Sequence, residues 1–428
     1  MPVRYCHLNL NIIICLILFF PLTDGKSNES IEPTKSTDYF VEKHSLPNDS
    51  LFSKQWGLYN ANADGADIQM LDAWEIEPGD PDVIVAIIDM GFDVNHQDLQ
   101  QNIWQNPGEI QNNGIDDDQN GYVDDIIGWD FVNQAEGYDD EDCDWKDEDN
   151  DPTTSKTSHG NEVLGVVGAT TNNSLGIAGM TGQCKIMLLR AGFINIEGNP
   201  VLSGTHIAKA VIYATDNGAS VINISSGSNR YSNTYRNVLQ YAIDHGVVIV
   251  CSAGNEGSDA PVYPAAYDLE GIISVGASTE NDKLARFSNY GDWVDVSAPG
   301  QHIVTTLLND RYGQIQGTSF AAPMVSGIAA LLVSKYPDWT PAQIRNQIMA
   351  TVDVSEDLKD ANVTSGRVNA FKALSVSAFD ETAENAEENT VIEAAPVPAS
   401  NDDGGGGCFI LSADEAYSSV IHMEGVFR

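Results

Sequence analysis

Basic side chains are scarce in this chain. Its 428 residues carry 21 Lys and Arg against 62 Asp and Glu, a formal charge of −41 at neutral pH. A surface of that sign repels phosphate backbones and anionic headgroups, which argues against nucleic acid as a partner. Cysteine is also rare: six in all, of which Cys6 and Cys15 fall in an N-terminal leader. Cys143, Cys184, Cys251 and Cys408 are too few to staple a chain of this length as a disulfide scaffold. Cys143 with Cys184 is the only pair worth testing for a bridge, and Cys251, inside "GVVIVCSAGN", reads as a small buried hydrophobe. The apolar run from Asn11 to Leu22 is short of the roughly 20 residues a membrane span needs. Arg4 precedes it, and Thr23 and Gly25 follow at the spacing of a small-residue cleavage site, so residues 1–25 read as a secretory signal peptide. Secretion to the outside or the cell surface is the expectation, with no stable membrane span.

What the chain does have is a hydrophobic content of 42%, enough for a substantial core. After a short extension over 26–50, the segment 51–378 alternates apolar β-rich runs with helical stretches. "DVIVAIIDMG", "CKIMLLRAG", "ASVINISSG", "GVVIVCSAGN" and "GIISVGAS" read as strands buried on both faces. "GTHIAKAVIYATDNG" and "RNVLQYAIDHG" read as amphipathic helices closed by Gly218 and Gly246. Such alternation predicts an α/β fold of three layers, α/β/α, with a mainly parallel, doubly wound central sheet. Catalytic groups of such sheets gather at the carboxyl ends of the strands, where Asp89, Ser225 and Asn255 fall. Two segments depart from the pattern. An acidic insertion occupies about 106–152, and beyond 378 an acidic linker with Gly and Pro (379–407) leads to a tail, 408–428.

An acid, a base and a hydroxyl stand in telling contexts. Asp89 ends an apolar strand just before Gly91, His159 opens the helical "SHGNEVLGVVGA", and Ser319 opens "TSFAAPMVSG". Each has an ordinary reading as a turn residue, an N-terminal polar residue or a helix cap. Together they offer a hydroxyl, an imidazole to take its proton and a carboxylate to hold the imidazole. The order Asp, His, Ser excludes the α/β-hydrolase order, and "GTSFA" lacks the second glycine of G-x-S-x-G.

On "SKQWGLYN", "VAIIDMGFDVNHQDL", "HGNEVLGVVGA", "VINISSG", "SAGNEG", "YPAAY" and "GTSFAAPMVSGIAALL", the chain resembles the subtilisin-like serine proteases, the subtilases. The resemblance covers most of Leu51 to about Leu374 and implies endopeptidase activity on protein or peptide substrates. It implies that Asp89, His159 and Ser319 form the catalytic triad and that Asn255 supplies an oxyanion-hole amide. The substrate backbone is then expected along Ser225, Ser226 and Gly227. Ser252, Ala253, Gly254 and Glu256 form the other wall of a first pocket expected to take large apolar residues, with basic ones accepted. Three features depart from the family pattern. "HGNE" stands in place of H-G-T-H, so Asn161 and Glu162 are unusual. Phe320 replaces a methionine often found after the nucleophile, which predicts slow inactivation by peroxide. Residues 26–50 are too few for the folding-assisting propeptide domain that many subtilases carry. Glu162, close to His159, leaves a second reading open: a weakly active or inactive subtilase-fold protein serving as a calcium-dependent surface or binding module.

"DDDQNGYVDD" places Asp116, Asp118, Asn120, the Tyr122 carbonyl and Asp124 at positions 1, 3, 5, 7 and 9, with Gly121 at position 6. Those are the spacings of an oxygen-ligand calcium loop, although Ile127 stands where an EF-hand has Glu. Structural calcium is the expectation here, and the run from Asp139 to Asp151 offers a second, weaker candidate. The tail "GGGGCFI" resembles Gly-rich, Cys-containing C-terminal signals of some bacterial surface proteins. Either it addresses cell-surface sorting machinery through Cys408 or it is a plain flexible tail.

Overall fold

The structure, a computed structural model, describes residues 45–60, 66–133, 147–195, 199–375 and 424–426. The leader, Cys143, the run 139–146, the linker from 379 and Cys408 lie outside the described residues. In chain order the strands are β1 (Ile84–Asp89), β2 (Gly128–Asp130), β3 (Lys185–Arg190), β4 (Gly192–Ile194), β5 (Pro200–Ser203), β6 (Val221–Ile224) and β7 (Val248–Ser252). They continue with β8 (Ile272–Ser278), β9 (Val296–Pro299), β10 (Ile303–Leu307), β11 (Arg311–Ile315), β12 (Asp353–Val354), β13 (Gly366–Arg367) and β14 (Glu424–Val426). The helices are α1 (Met70–Ile76), α2 (His159–Gly168), α3 (Gly204–Asp216), α4 (Asn233–Asp244), α5 (Thr318–Lys335), α6 (Pro341–Ala350) and α7 (Ala370–Ser375).

Nine strands form one sheet in the order β12-β13-β9-β8-β7-β6-β1-β3-β2. Its pairings are parallel except β12 with β13. The period of two along each strand sends successive side chains to opposite faces, and both faces are apolar. Val85, Ile87, Val248 and Val250 pack with Val163, Val166 and Val167 of α2 and the long apolar face of α5. Ala86, Ile88, Ile249 and Cys251 pack instead with Ile207, Ala210 and Val211 of α3 and Leu239 of α4. Each Val, Leu or Ile side chain among them stabilises the fold by about 1.5–3 kcal/mol when taken out of water, the alanines by less. This is the three-layer α/β/α arrangement expected from the sequence, and Cys251 is the buried hydrophobe it was read to be. Cys184 is a free, buried thiol.

The predicted helix ends are met. Gly218 and Gly246 take φ of 80° and 87° just beyond α3 and α4, a conformation that costs glycine least. At the other ends, Ser203 and Ser232 accept the backbone N–H of Thr205 and Tyr235 as N-caps. Among the described residues one helix, α5, is long and apolar enough to cross a membrane, and 83% of it is buried inside the protein. It is the core helix of the sheet.

After β1 the chain passes through β2 at the sheet edge and β3 beside β1 on one side, then returns to β6 on the other. The sheet's switch point therefore lies at β1, where such folds open a crevice at the carboxyl ends of their strands.

Candidate active site

Ser319 is the second residue of α5, behind an N-cap glycine, Gly317, with φ of 154°. Four residues on, Pro323 has no N–H to give, so the Ser319 carbonyl lacks its usual helical donor. Ser225 Oγ fills that vacancy at 2.8 Å. Asn223 Nδ2 donates to Ser225 Oγ at 2.9 Å, and Ser326 Oγ donates to Asn223 Oδ1 at 2.9 Å. This buried chain ties the first turn of α5 to the end of β6. The Ser319 hydroxyl donates to the Ser225 carbonyl at 3.2 Å, and the residue is 8% exposed.

His159 is the first residue of α2, and its Nδ1 meets both Asp89 oxygens, at 2.8 and 3.0 Å. Asp89, at the end of β1, is 2% exposed and His159 30%. Oδ1 of Asp89 also accepts the Met90 N–H at 2.7 Å, which fixes the carboxylate. The helix can come this close because Gly160 has no side chain: a Cβ there would lie 2.2 Å from the Gly91 carbonyl oxygen. Burial pushes the imidazole pKa down, but the charge and hydrogen bond of Asp89, reinforced by Glu162, outweigh it and hold His159 above its ordinary value. The His159 ring lies 5.6 Å from that of Phe320, the residue after Ser319, so the pair lies beside the first turn of α5, which carries the serine. Glu162 is half-buried, and burial raises its carboxyl above the usual range.

Asn255 is exposed, yet its amide is oriented. Oδ1 accepts from the N–H of Thr318 at 2.8 Å and from Thr318 Oγ1 at 3.0 Å. With the oxygen so held, Nδ2 is the end left to face the mouth of α5, 3.7 Å from where a Gly317 Cβ would be. The walls predicted for the first pocket, Ser225, Ser226 and Gly227 against Ser252, Ala253 and Gly254, lead from the ends of β6 and β7. Glu256 does not hang free: its Oε2 accepts from Asn289 Nδ2 at 2.8 Å. Between the walls stands Val262, whose γ carbons come within 2.5 and 3.3 Å of the positions a Cβ would take on Gly227 and Gly254. The paired backbone of Ser228 and Tyr263, at 2.8 and 2.7 Å, holds it there.

In the acidic loop the structure gathers a different set of carboxylates from the one read by spacing. Asp118 approaches Glu109 and Asp125, with one oxygen from each lying within 4.8 Å of the others. Asp116 instead accepts the backbone N–H groups of Asn120 and Gly121, and Asp124 those of Asn113 and Gly114. Short acidic side chains satisfy nearby amides in tight turns, and this competes with ligation; Glu109 likewise accepts the N–H groups of Asp117, Asp118 and Asp124 while it converges with Asp118 and Asp125. Asn120 uses its amide to donate to Asp118 and Asp125, and the Tyr122 ring packs edge-on against Trp129 and Tyr213. Glu109 and Asp125 were not singled out in the sequence because they lie outside the periodic positions. Asn223, Asn289 and Val262 were missed because each has a partner well removed in the chain and no local motif marks them.

An α/β sheet that brings a carboxylate-bound imidazole and a helix-opening serine to its switch point has the construction of a serine hydrolase. Comparison with known proteins narrows the class. The Subtilase family matches residues 80–387. A thermophilic serine proteinase of Bacillus sp. (strain AK1) is 36% identical over 349 residues, 81% of this chain and 74% of that protein. Thermitase of Thermoactinomyces vulgaris is 33% identical over 333 residues, covering 77% of this chain and 99% of the relative. Among solved structures, a protease of Pseudoalteromonas arctica PAMC 21717 superposes with a TM-score of 0.62 at 27% identity, over 77% of this chain and 99% of the other. The chain belongs to the subtilase family and is a serine-type endopeptidase.

Proposed function

We propose that the protein is a secreted, calcium-stabilised endopeptidase working through Asp89, His159 and Ser319. The observation that carries this reading is the two-oxygen contact of Asp89 with His159 Nδ1, at 2.8 and 3.0 Å, which leaves Nε2 as the ring nitrogen not engaged by Asp89. For reaction the Ser319 hydroxyl turns from the Ser225 carbonyl to Nε2, gives up its proton and attacks the substrate carbonyl carbon. Asp89 stabilises the imidazolium that forms. The developing oxyanion accepts from the Ser319 N–H and from Asn255 Nδ2, whose orientation Thr318 has already set, so little reorganisation remains. Collapse expels the amine, which takes the proton from His159. Water then hydrolyses the acyl-enzyme with the same groups in reverse roles.

The substrate backbone lies along Ser225 to Gly227, with Ser252 to Gly254 and Glu256 opposite. These walls are small and largely uncharged, which supports cleavage after apolar residues. Val262 limits the depth open to large ones. A Lys or Arg side chain is accepted where its charge reaches Glu256. Calcium is proposed at Glu109, Asp118 and Asp125, where three close carboxylates would otherwise repel. Secretion is supported by the charge and hydropathy pattern of residues 1–25. Whether the tail addresses sorting machinery is a separate proposal, resting on "GGGGCFI" alone.

A fluorophosphonate probe tests the mechanism. Labelling at Ser319 that is lost in His159→Ala is the expected result. An unlabelled, folded wild-type protein would sink it and favour the binding-module reading.

A further inference from the structure

The departure of "HGNE" from the family pattern falls on Asn161, a fully buried side chain in the first turn of α2. A buried amide needs both a donor and an acceptor partner. Asn161 finds both on a single residue, Asp93: Oδ1 accepts the Asp93 N–H at 2.5 Å, and Nδ2 donates to the Asp93 carbonyl at 3.5 Å. Asp93 lies four positions beyond Asp89, and Asn161 two beyond His159. The segments 89–93 and 159–161 therefore touch three times, through the His159–Asp89 contact at one end, the close approach of Gly160 to Gly91 in the middle, and the Asn161–Asp93 clasp at the other.

Both ends of the clasp are anchored. Asp93 Oδ2 accepts the Asn309 N–H at 2.7 Å and Oδ1 the Asn95 N–H at 3.1 Å. Thr306 Oγ1 donates to the Asn161 carbonyl at 2.7 Å, and Thr305 Oγ1 to that of Glu162 at 2.8 Å. The first turn of α2 is thus gripped by its own side chain toward β1 and by two threonines of β10.

We propose that Asn161 is a positioning residue for catalysis, holding the base-bearing turn of α2 in register with the strand end that carries Asp89. The inference rests on the triad reading above. Without the clasp the imidazole keeps its neighbours but loses its fixed distance to the carboxylate. The charged groups that face His159 are Asp89 from β1 and Glu162 from α2 itself. A looser Asp89 contact withdraws support from the imidazolium, so the pKa falls.

The test compares Asn161→Ala and Asn161→Thr with wild type, using a chromogenic peptide substrate across pH and thermal melts of the same samples. In Asn161→Ala, kcat falls about 10- to 100-fold, the scale of a misplacement near 1 Å. KM stays within about twofold, as when an interaction matters only in the transition state, and the acid limb of kcat/KM moves to lower pH. Asn161→Thr, which still offers one side-chain oxygen, is intermediate in both. A folded Asn161→Ala with wild-type kcat and an unmoved acid limb overturns the proposal, as does a fall in kcat that tracks only a lower melting temperature. If the alanine variant does not fold, the same measurements on Asn161→Thr decide. Fluorophosphonate labelling of wild-type Ser319 separates the failures: labelling with unaffected variants sinks only the role of Asn161, whereas no labelling sinks the triad.

Discussion

Replacing Val262 by glycine should enlarge the first pocket. The two γ carbons of Val262 are wedged against Gly227 and Gly254, at 2.5 and 3.3 Å from where side chains would begin. Removing the isopropyl group opens room for two or three carbons of substrate. At about 0.8 kcal/mol per buried CH₂ group, the gain is about 1.6–2.4 kcal/mol, or about 15- to 60-fold in relative kcat/KM. That range falls inside the roughly 10- to 200-fold that one added or missing methylene commands in an apolar pocket. Val262 is only half-buried, so its loss should cost about 1–2 kcal/mol of stability, little enough for the fold to persist. The assay is a series of peptide anilides differing only before the scissile bond, with Ala, Leu and Phe, measured as ratios within each enzyme. An unchanged Phe-to-Ala ratio in a folded Val262→Gly would show that this side chain does not bound the pocket.

Glu162→Gln should move the acid limb of activity to lower pH. His159 works as a base only when neutral, and Asp89 and Glu162 both hold its pKa up against burial. Removing one negative charge lowers that pKa, so the neutral base persists to lower pH. An acid limb that stays in place or moves up would contradict this. For calcium, saturation at a hundredfold above Kd stabilises by about 2.7 kcal/mol, so chelator should lower the melting temperature of wild type. The shift should vanish in Asp118→Asn, and a chelator-insensitive wild type rules the site out. Dilute peroxide should inactivate the enzyme slowly, because Phe320 places an aromatic ring where a thioether would oxidise. Rapid loss of activity would locate a sensitive group elsewhere in the crevice.

The layers of this fold were legible because each strand needs two apolar faces, and a continuous apolar run such as "VIVAII" can meet that need in only a few ways. The ends of α3 and α4 were legible because glycine marks the turn that stops a helix. What the sequence could not display were pairings whose two members are far apart in the chain. Asn223 looks like one more polar residue in a strand until Ser326 closes on it from 103 positions away. The acidic loop shows the converse. Its spacing pointed to five ligands, but Asp116 and Asp124 turn to backbone amides, and Asp118 is the one carboxylate of the pattern that converges, with Glu109 and Asp125 from either side of it.

Asn161 lies between these cases. As a departure from H-G-T-H it was visible at once, and alone it suggested only a perturbed site. The structure gives it two partners on Asp93, and that changes the meaning of the departure. A family motif records one solution to holding an imidazole against a carboxylate, and a buried amide with both of its hydrogen-bonding groups engaged is another. Glu162 differs in kind, since its charge acts on the imidazole through space and no backbone depends on its carboxylate. Substitution at 161 should therefore change kcat and the acid limb together, whereas substitution at 162 should move the limb while leaving the plateau rate near that of wild type. If both variants shifted only the limb, the clasp would be electrostatic in effect and the geometric account of "HGNE" would be wrong.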